Sequence, residues 1–253
     1  VAKKRRHLIV PDTQVKPGND LDHLRWAGEA VADYRPDVVI HLGDHWDMPS
    51  LSSYDKPGSK RKEGSRYIDD IAAGNEGIEV LTRPFRNIKG YKPDMIFLTG
   101  NHENRIERAI EDDPVHLEGV IGYDDFELYG FRRYEFLEVV FIDGIAYSHY
   151  FQNMGSSRAI GGTVDNRLNK IGCSFVQGHE QGLRYGTRAL PTGKVYHGLV
   201  AGSFYTHDED YMGRQGNSSH WRGIVVLNEV EDGDYDVMPL SLDYLRRKYG
   251  GGK

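Results

Sequence analysis

Cysteine is almost missing from this chain of 253 residues. Cys173 stands alone, so no disulfide can form within the chain, and a zinc module built on several thiolates is excluded. Long apolar runs are missing too: no stretch nears the roughly 18 apolar residues a membrane-spanning helix needs. After Val1 and Ala2 comes the basic run Lys3 to Arg6, and only Leu8 to Val10 then read as apolar, too short for a secretory signal. The expectation is a cytoplasmic protein with no membrane partner. Positive charge is not in excess either: the net charge is −6, which argues against binding nucleic acid over the whole surface and leaves room for a local basic patch. No internal repeat and no long linker divides the chain, so residues 1–253 are expected to form one domain with a full core.

What is present is a rhythm of short apolar strands, each opening into a polar loop. Residues 7–11 read as a strand that runs into Asp12, Thr13 and Gln14. Leu21, Leu24, Ala27 and Val31 share one face of a helix over 21–34, which Pro36 ends. Residues 37–42 form a second strand that opens into Gly43 to Asp47. This is a parallel βαβ unit. A helix is expected over 67–87 despite Gly74 and Gly77, then a strand over 94–98. Thr99-Gly100-Asn101-His102-Glu103 follows it, with a charged helix to about residue 111. Residues 135–142 and 145–148 suggest a hairpin about Asp143-Gly144, with His149 where the second strand stops. A helix is expected over 156–171 and a strand over 173–177, which ends at Gly178-His179-Glu180-Gln181. Further strands are expected over 183–188, 195–201, 223–230 and 235–240. The whole points to an α/β sandwich of two sheets.

Open α/β sheets place ligands at the carboxyl ends of their strands. Asp12, Asp44, Asn101, His149 and His179 would then meet at one rim. Carboxylate, carboxamide and imidazole together suit divalent ions such as Mn, Fe, Zn or Mg. Glycine stands directly before Asp44, Asn101 and His179, where it permits a sharp turn and a close approach.

The ordered set Asp-x-Gln, Gly-Asp-x-x-Asp, Gly-Asn-His-Glu, a lone His and Gly-His-x-Gln resembles the calcineurin-like metallophosphoesterase superfamily, over residues 12–181. The run Gly-Asn-His-Glu-Asn-Arg is similar to phage-encoded members. The resemblance implies a four-layer αββα fold, two mixed sheets flanked by helices. It also implies two divalent ions, manganese first, with Mg, Fe, Zn or Ni as alternatives. Asp44 would bridge them. Asn101, His149 and His179 would complete one site, and Asp12, Gln14 and Gln181 the other. His102 would act near the leaving group, oriented by Asp47. Two metals of this kind activate water and neutralise phosphoryl oxygens. The chain departs from the family at Gln14 and Gln181, where histidines are usual. Both fall on the same metal, which would see oxygen ligands alone and bind more weakly or prefer Mn or Mg.

Other residues carry alternatives. His41 is read as a packed core histidine and Cys173 as a small buried hydrophobe. Glu103 suits a helix N-terminus. Arg105 either pairs with a carboxylate or holds a substrate phosphate. The basic stretch 56–66, with Lys60 and Arg61, is a solvated loop insertion or a phosphate-steering arm. His207, Asp208 and His220 line a substrate rim or are solvated loop residues, and Tyr205, Tyr211 and Trp221 stack on a base or pack the lower sheet. With the N-terminal basic cluster, these features lean toward a phosphodiesterase or nuclease acting on nucleic acid or nucleotides. The alternatives are a phosphomonoesterase on nucleotides or phosphoproteins, and a non-catalytic scaffold on a decayed site.

Overall fold

Residues 4–53, 63–207 and 220–251 are described by a computed structural model. The strands are β1 (Arg5–Val10), β2 (Val38–His41), β3 (Asp94–Leu98), β4 (Arg132–Tyr134), β5 (Val140–Ile142), β6 (Ile145–Ser148), β7 (Phe175–Gln177), β8 (Leu183–Ala189), β9 (Val195–Ala201), β10 (Gly223–Glu231) and β11 (Asp234–Ser241). The helices are α1 (Asp22–Tyr34), α2 (Tyr67–Arg86), α3 (Arg105–Asp112), α4 (Pro114–Leu117), α5 (Val164–Ile171) and α6 (Leu242–Tyr249). Among the described residues, the strands make two sheets. One runs β11-β10-β1-β2-β3-β4 and the other β5-β6-β7-β9-β8. Both are mixed. β1, β2, β3 and β4 run parallel, as do β6, β7 and β9, and the remaining pairings are antiparallel.

Alternation along the strands sorts the apolar side chains into layers. Leu8 and Val10 of β1, Val39 of β2 and Phe97 of β3 meet Leu24, Val31, Ile78, Leu81 and Leu245 from α1, α2 and α6. Ile9, Val38, Ile40, Ile96 and Leu98 face the other way, against Ile145, Tyr147, Val176 and Leu199 of the second sheet. The outer face of that sheet packs Ala146 and Phe175 under Val164 and Leu168 of α5. The order is helices, sheet, sheet, helix. No described helix is long and apolar enough to cross a membrane.

Several expectations are corrected. The helix expected over 156–171 starts only at Val164. Gly162 has a left-handed φ of +90°, and Thr163 caps the helix by accepting a hydrogen bond from Asn166 N at 3.2 Å. The residues before it instead form an antiparallel bridge between Gln152 and Ala159. The first hairpin strand shrinks to Val140–Ile142, because Leu137 turns left-handed (φ 66°) and Glu138 N donates to Glu135 O. Helix α6 was not anticipated, although Ser241 caps it through Tyr244 N at 3.2 Å. The basic residues Arg5 and Arg6 are engaged at the end of β1 remote from Asp12, where the sequence places them. There Arg5 binds Asp94 and Asp143 at 2.7 and 3.0 Å, and Arg6 binds Asn228 at 2.8 Å.

Candidate metal centre

The parallel strands β1, β2 and β3 of one sheet and β6 and β7 of the other end in the five loops singled out above. The structure brings them together. The potential ligand atoms of Asp44, His149 and His179 lie within 4.8 Å of one another. His149 Nε2 stands 3.4 Å from Asp44 Oδ2 and 3.0 Å from Asn101 Oδ1. Its Nδ1 lies 2.7 Å from Leu42 O, and since a carbonyl only accepts, that nitrogen carries a hydrogen. Such a bond orients Nε2 toward a cation. Burial alone would lower the His149 pKa, but the charge of Asp44 and the bond to it lift it to about 9. His179 moves the opposite way, to about 4, through burial and then the charge of His149. Asp44 is buried too, yet His102 and His149 hold it well below the usual carboxylate range.

Asp12, Gln14 and Gln181 gather beside this cluster. His179 N donates to Asp12 Oδ1 at 3.1 Å, and Gln181 Nε2 donates to Asp12 Oδ2 at 3.3 Å. Gln14 N donates to Asp44 O at 2.9 Å. Burial, with the charge of Asp44 as a further cause, raises Asp12 to about 7. The side-chain oxygens of Gln14 and Gln181 are both buried with no hydrogen-bond partner. Two orphaned amide oxygens beside a buried carboxylate are what a hard cation would satisfy. The residues present therefore fit divalent ions.

Backbone geometry serves the same end. Gln14, Asp44 and His179 all have left-handed φ, at 42°, 51° and 66°. Non-glycine residues seldom adopt this region, and such strain collects at functional sites. The glycines beside the ligands are sterically required. A Cβ on Gly100 would fall 2.3 Å from both Asp44 N and Asp44 Oδ1, and one on Gly178 would fall 2.5 Å from Asp12 Oδ1.

His102 borders the cluster. Its N–H donates to Asp44 Oδ1 at 2.9 Å, its Nδ1 bonds Asp47 Oδ1 at 2.7 Å, and its Nε2 lies 3.8 Å from Asp44 Oδ2. Burial is outweighed by Asp44 and then by the Asp47 bond, so the His102 pKa sits above its ordinary value. Arg105 lies beside this pair. Its buried guanidinium donates to the backbone carbonyls of Asp47 and Met48, at 2.6 and 3.2 Å, and so holds the loop that carries Asp47.

Glu103 is not a helix-capping residue, since α3 begins at Arg105. It is fully buried and accepts four backbone N–H groups, from Asp44, His45, Trp46 and Gly100. Burial and then the charge of Asp44 push its carboxyl up to about 7. His41, as expected, is a buried core histidine. Tyr150 was overlooked, although it is the neighbour of His149. Its half-buried ring lies 4.7 Å from that of His179.

The expected substrate contacts fare differently. Tyr205 is fully enclosed: its hydroxyl bonds His220 Nδ1 at 2.8 Å, His207 stacks on its ring at 4.7 Å, and the Arg222 guanidinium lies over it. It has no open face for a base. His207 is held in that stack and bonded to Asn19 at 2.8 Å. Trp221 packs against the core between the sheets. Lys60, Arg61, Asp208 and Tyr211 lie outside the described residues.

No known family model matches the chain. It is 30% identical over 101 residues to the proteins named Gene 54 protein of Mycobacterium phage L5 and of Mycobacterium phage D29. The match takes in 40% of this chain and spans 37% of the length of those curated relatives. A solved structure aligns over its whole length with 94% of this chain, at 13% identity and a TM-score of 0.43.

Proposed function

We propose that this chain is a divalent-metal-dependent phosphoester hydrolase of the calcineurin-like kind. One observation carries the reading: ligand-type side chains from five loops and two sheets converge beside a histidine held by its own carboxylate. Asn101, His149 and His179 would hold one ion, Asp12, Gln14 and Gln181 the other, and Asp44 both. When bound, such ions supply positive charge against the phosphoryl oxygens and acidify water. The donor types suit manganese at both positions, with Mg at the oxygen-only set and Fe, Zn or Ni at the imidazole set as alternatives.

The chain's own residues do the rest. Asp47 fixes the His102 ring through Nδ1, so Nε2 is the atom left to face a substrate. Asp44 and Asp47 keep a proton on that ring above the ordinary imidazole range, which suits it to protonate a departing oxygen. Such a step is worth about 10²–10⁴-fold. The Arg105 clamp on Asp47 O and Met48 O keeps this pair in place. An intact His102–Asp47 pair speaks against a decayed scaffold.

Of the features that leaned toward a diester, Tyr205 is enclosed, Trp221 is packed and Arg5 and Arg6 are engaged elsewhere, which leaves the basic stretch 56–66 and Tyr211. Paired assays on bis-p-nitrophenyl phosphate and p-nitrophenyl phosphate, with Mn and with Mg, test class and substrate together. The expected result is metal-dependent diester turnover, abolished by chelation and reduced about 10²–10⁴-fold in His102→Ala. Turnover of the monoester alone replaces the diester reading. Turnover of neither ester under any metal removes the proposal.

A further inference from the structure

Behind the ligand loops lies a buried chain of hydrogen bonds that the chemistry above does not use. Gly43 N donates to His41 Nδ1 at 3.2 Å. His41 Nε2 stands 3.2 Å from Thr13 Oγ1, which stands 2.6 Å from His45 Nδ1. His45 Nε2 reaches Gly74 O, in α2, at 2.9 Å. His41, Thr13 and His45 are all buried.

Both ends fix the direction. An amide N–H only donates, so His41 Nδ1 accepts and the ring's hydrogen sits on Nε2. A carbonyl only accepts, so His45 Nε2 carries the hydrogen and Nδ1 accepts. The link between the rings must therefore accept from His41 and donate to His45. A hydroxyl does both, and Thr13 supplies it.

The relay is seated on a notch in α2. A Cβ on Gly74 would fall 1.9 Å from Trp46 Cδ1, and one on Gly77 would fall 2.9 Å from His45 Cε1 and Nε2. Glycine weakens a helix interior. Here it lets the rings of His45 and Trp46 lie against the helix backbone. At the other side, Thr13 directly precedes Gln14 and His45 directly follows Asp44, two ligand-type residues with left-handed φ. The two loops are also zipped by backbone bonds, Gln14 N to Asp44 O at 2.9 Å and Val15 N to His45 O at 2.7 Å.

We propose that Thr13 is a positioning residue, whose hydroxyl joins His41 and His45 into one relay anchored on α2, and that this relay holds Gln14 and Asp44 in the geometry that presents them to a cation. Its functional readout rests on the metal-site reading; the relay itself does not.

The test has two arms. In the chelator-treated wild-type protein, imidazole ¹⁵N spectra are expected to show hydrogen on Nε2 of both His41 and His45. Hydrogen on Nδ1 of either ring overturns the relay, whatever the metal chemistry. Calorimetric titration with Mn²⁺ then compares wild type, Thr13→Ser and Thr13→Val. The valine variant is expected to bind about 10–100-fold more weakly, the range for loss of a group that orients a ligand, with serine restoring most of it. Equal affinity in all three overturns the positioning role. If Thr13→Val does not fold, Thr13→Ala replaces it, with the same weakening expected. If the wild type binds no divalent ion, the hydrolase reading fails, and the spectra alone decide the relay.

Discussion

Replacing Glu103 with glutamine changes one heavy atom, and the structure says the change is severe. Oε1 accepts from His45 N at 2.6 Å and Trp46 N at 2.9 Å, and Oε2 accepts from Asp44 N at 3.0 Å and Gly100 N at 2.8 Å. Every neighbour is a donor, so either orientation of the amide points an NH₂ group at two backbone N–H groups. Above pH 7, where the carboxyl is ionised, each of those two loses a bond to a charged acceptor. At roughly 1.5–3 kcal/mol apiece, the expected destabilisation is about 3–6 kcal/mol. A domain with total stability of roughly 5–15 kcal/mol would survive weakened or fall to the edge of folding. Urea unfolding monitored by tryptophan fluorescence reads this directly, because Trp46 sits on the affected loop. Trp46 packs on Phe126 with ring centroids 4.0 Å apart, so loosening of that loop should also shift its emission. A loss below about 1 kcal/mol would refute the reasoning, since it would mean these N–H groups find other partners at little cost.

The remaining predictions concern pH and close packing. Because His149 is raised from 6.5 to about 9 in the folded protein, its contribution to the stability of chelator-treated protein is full below 6.5 and is lost as pH climbs through about 9. A cation at Nε2 displaces the same proton, so calorimetric Mn²⁺ affinity should rise over that interval, and a pH-independent affinity would remove His149 as a ligand. Gly100→Ala forces a Cβ to within 2.3 Å of Asp44 N and Oδ1, so it should lower the melting temperature and abolish divalent binding. An alanine variant that folds and binds like wild type would mean that Asp44 is not held as described.

The sequence was most readable where local pattern and loop chemistry agreed. The strand over 94–98 matches β3 residue for residue, because an apolar run there stops at Thr99-Gly100. The proposed ligands were readable because each lies within four residues of the end of such a strand. Glu103 was misread because its partners lie mainly in a loop some 58 residues upstream, a relation that no local signal encodes. Thr13 and His45 hide for the same reason. Tyr205 looked available because exposure depends on Arg222 and His207 closing over it. Residues 156–163 resembled a helix in composition, yet Gly161-Gly162 and the Thr163 cap outvote that resemblance. At Ser241 the capping signal was present one residue past the strand expected over 235–240, and no helix was read from it.

Asp12, Asp44 and Asn101 hang from one sheet, while His149, His179 and Gln181 hang from the other. An ion seated among them would act as a rivet through the sandwich. It would tie the two layers at a point where their apolar interior gives way to polar loops. Such a rivet cannot be set until both halves have formed and docked, so cation affinity would report on completed assembly, and chelation would unpin one layer from the other without cutting any covalent link.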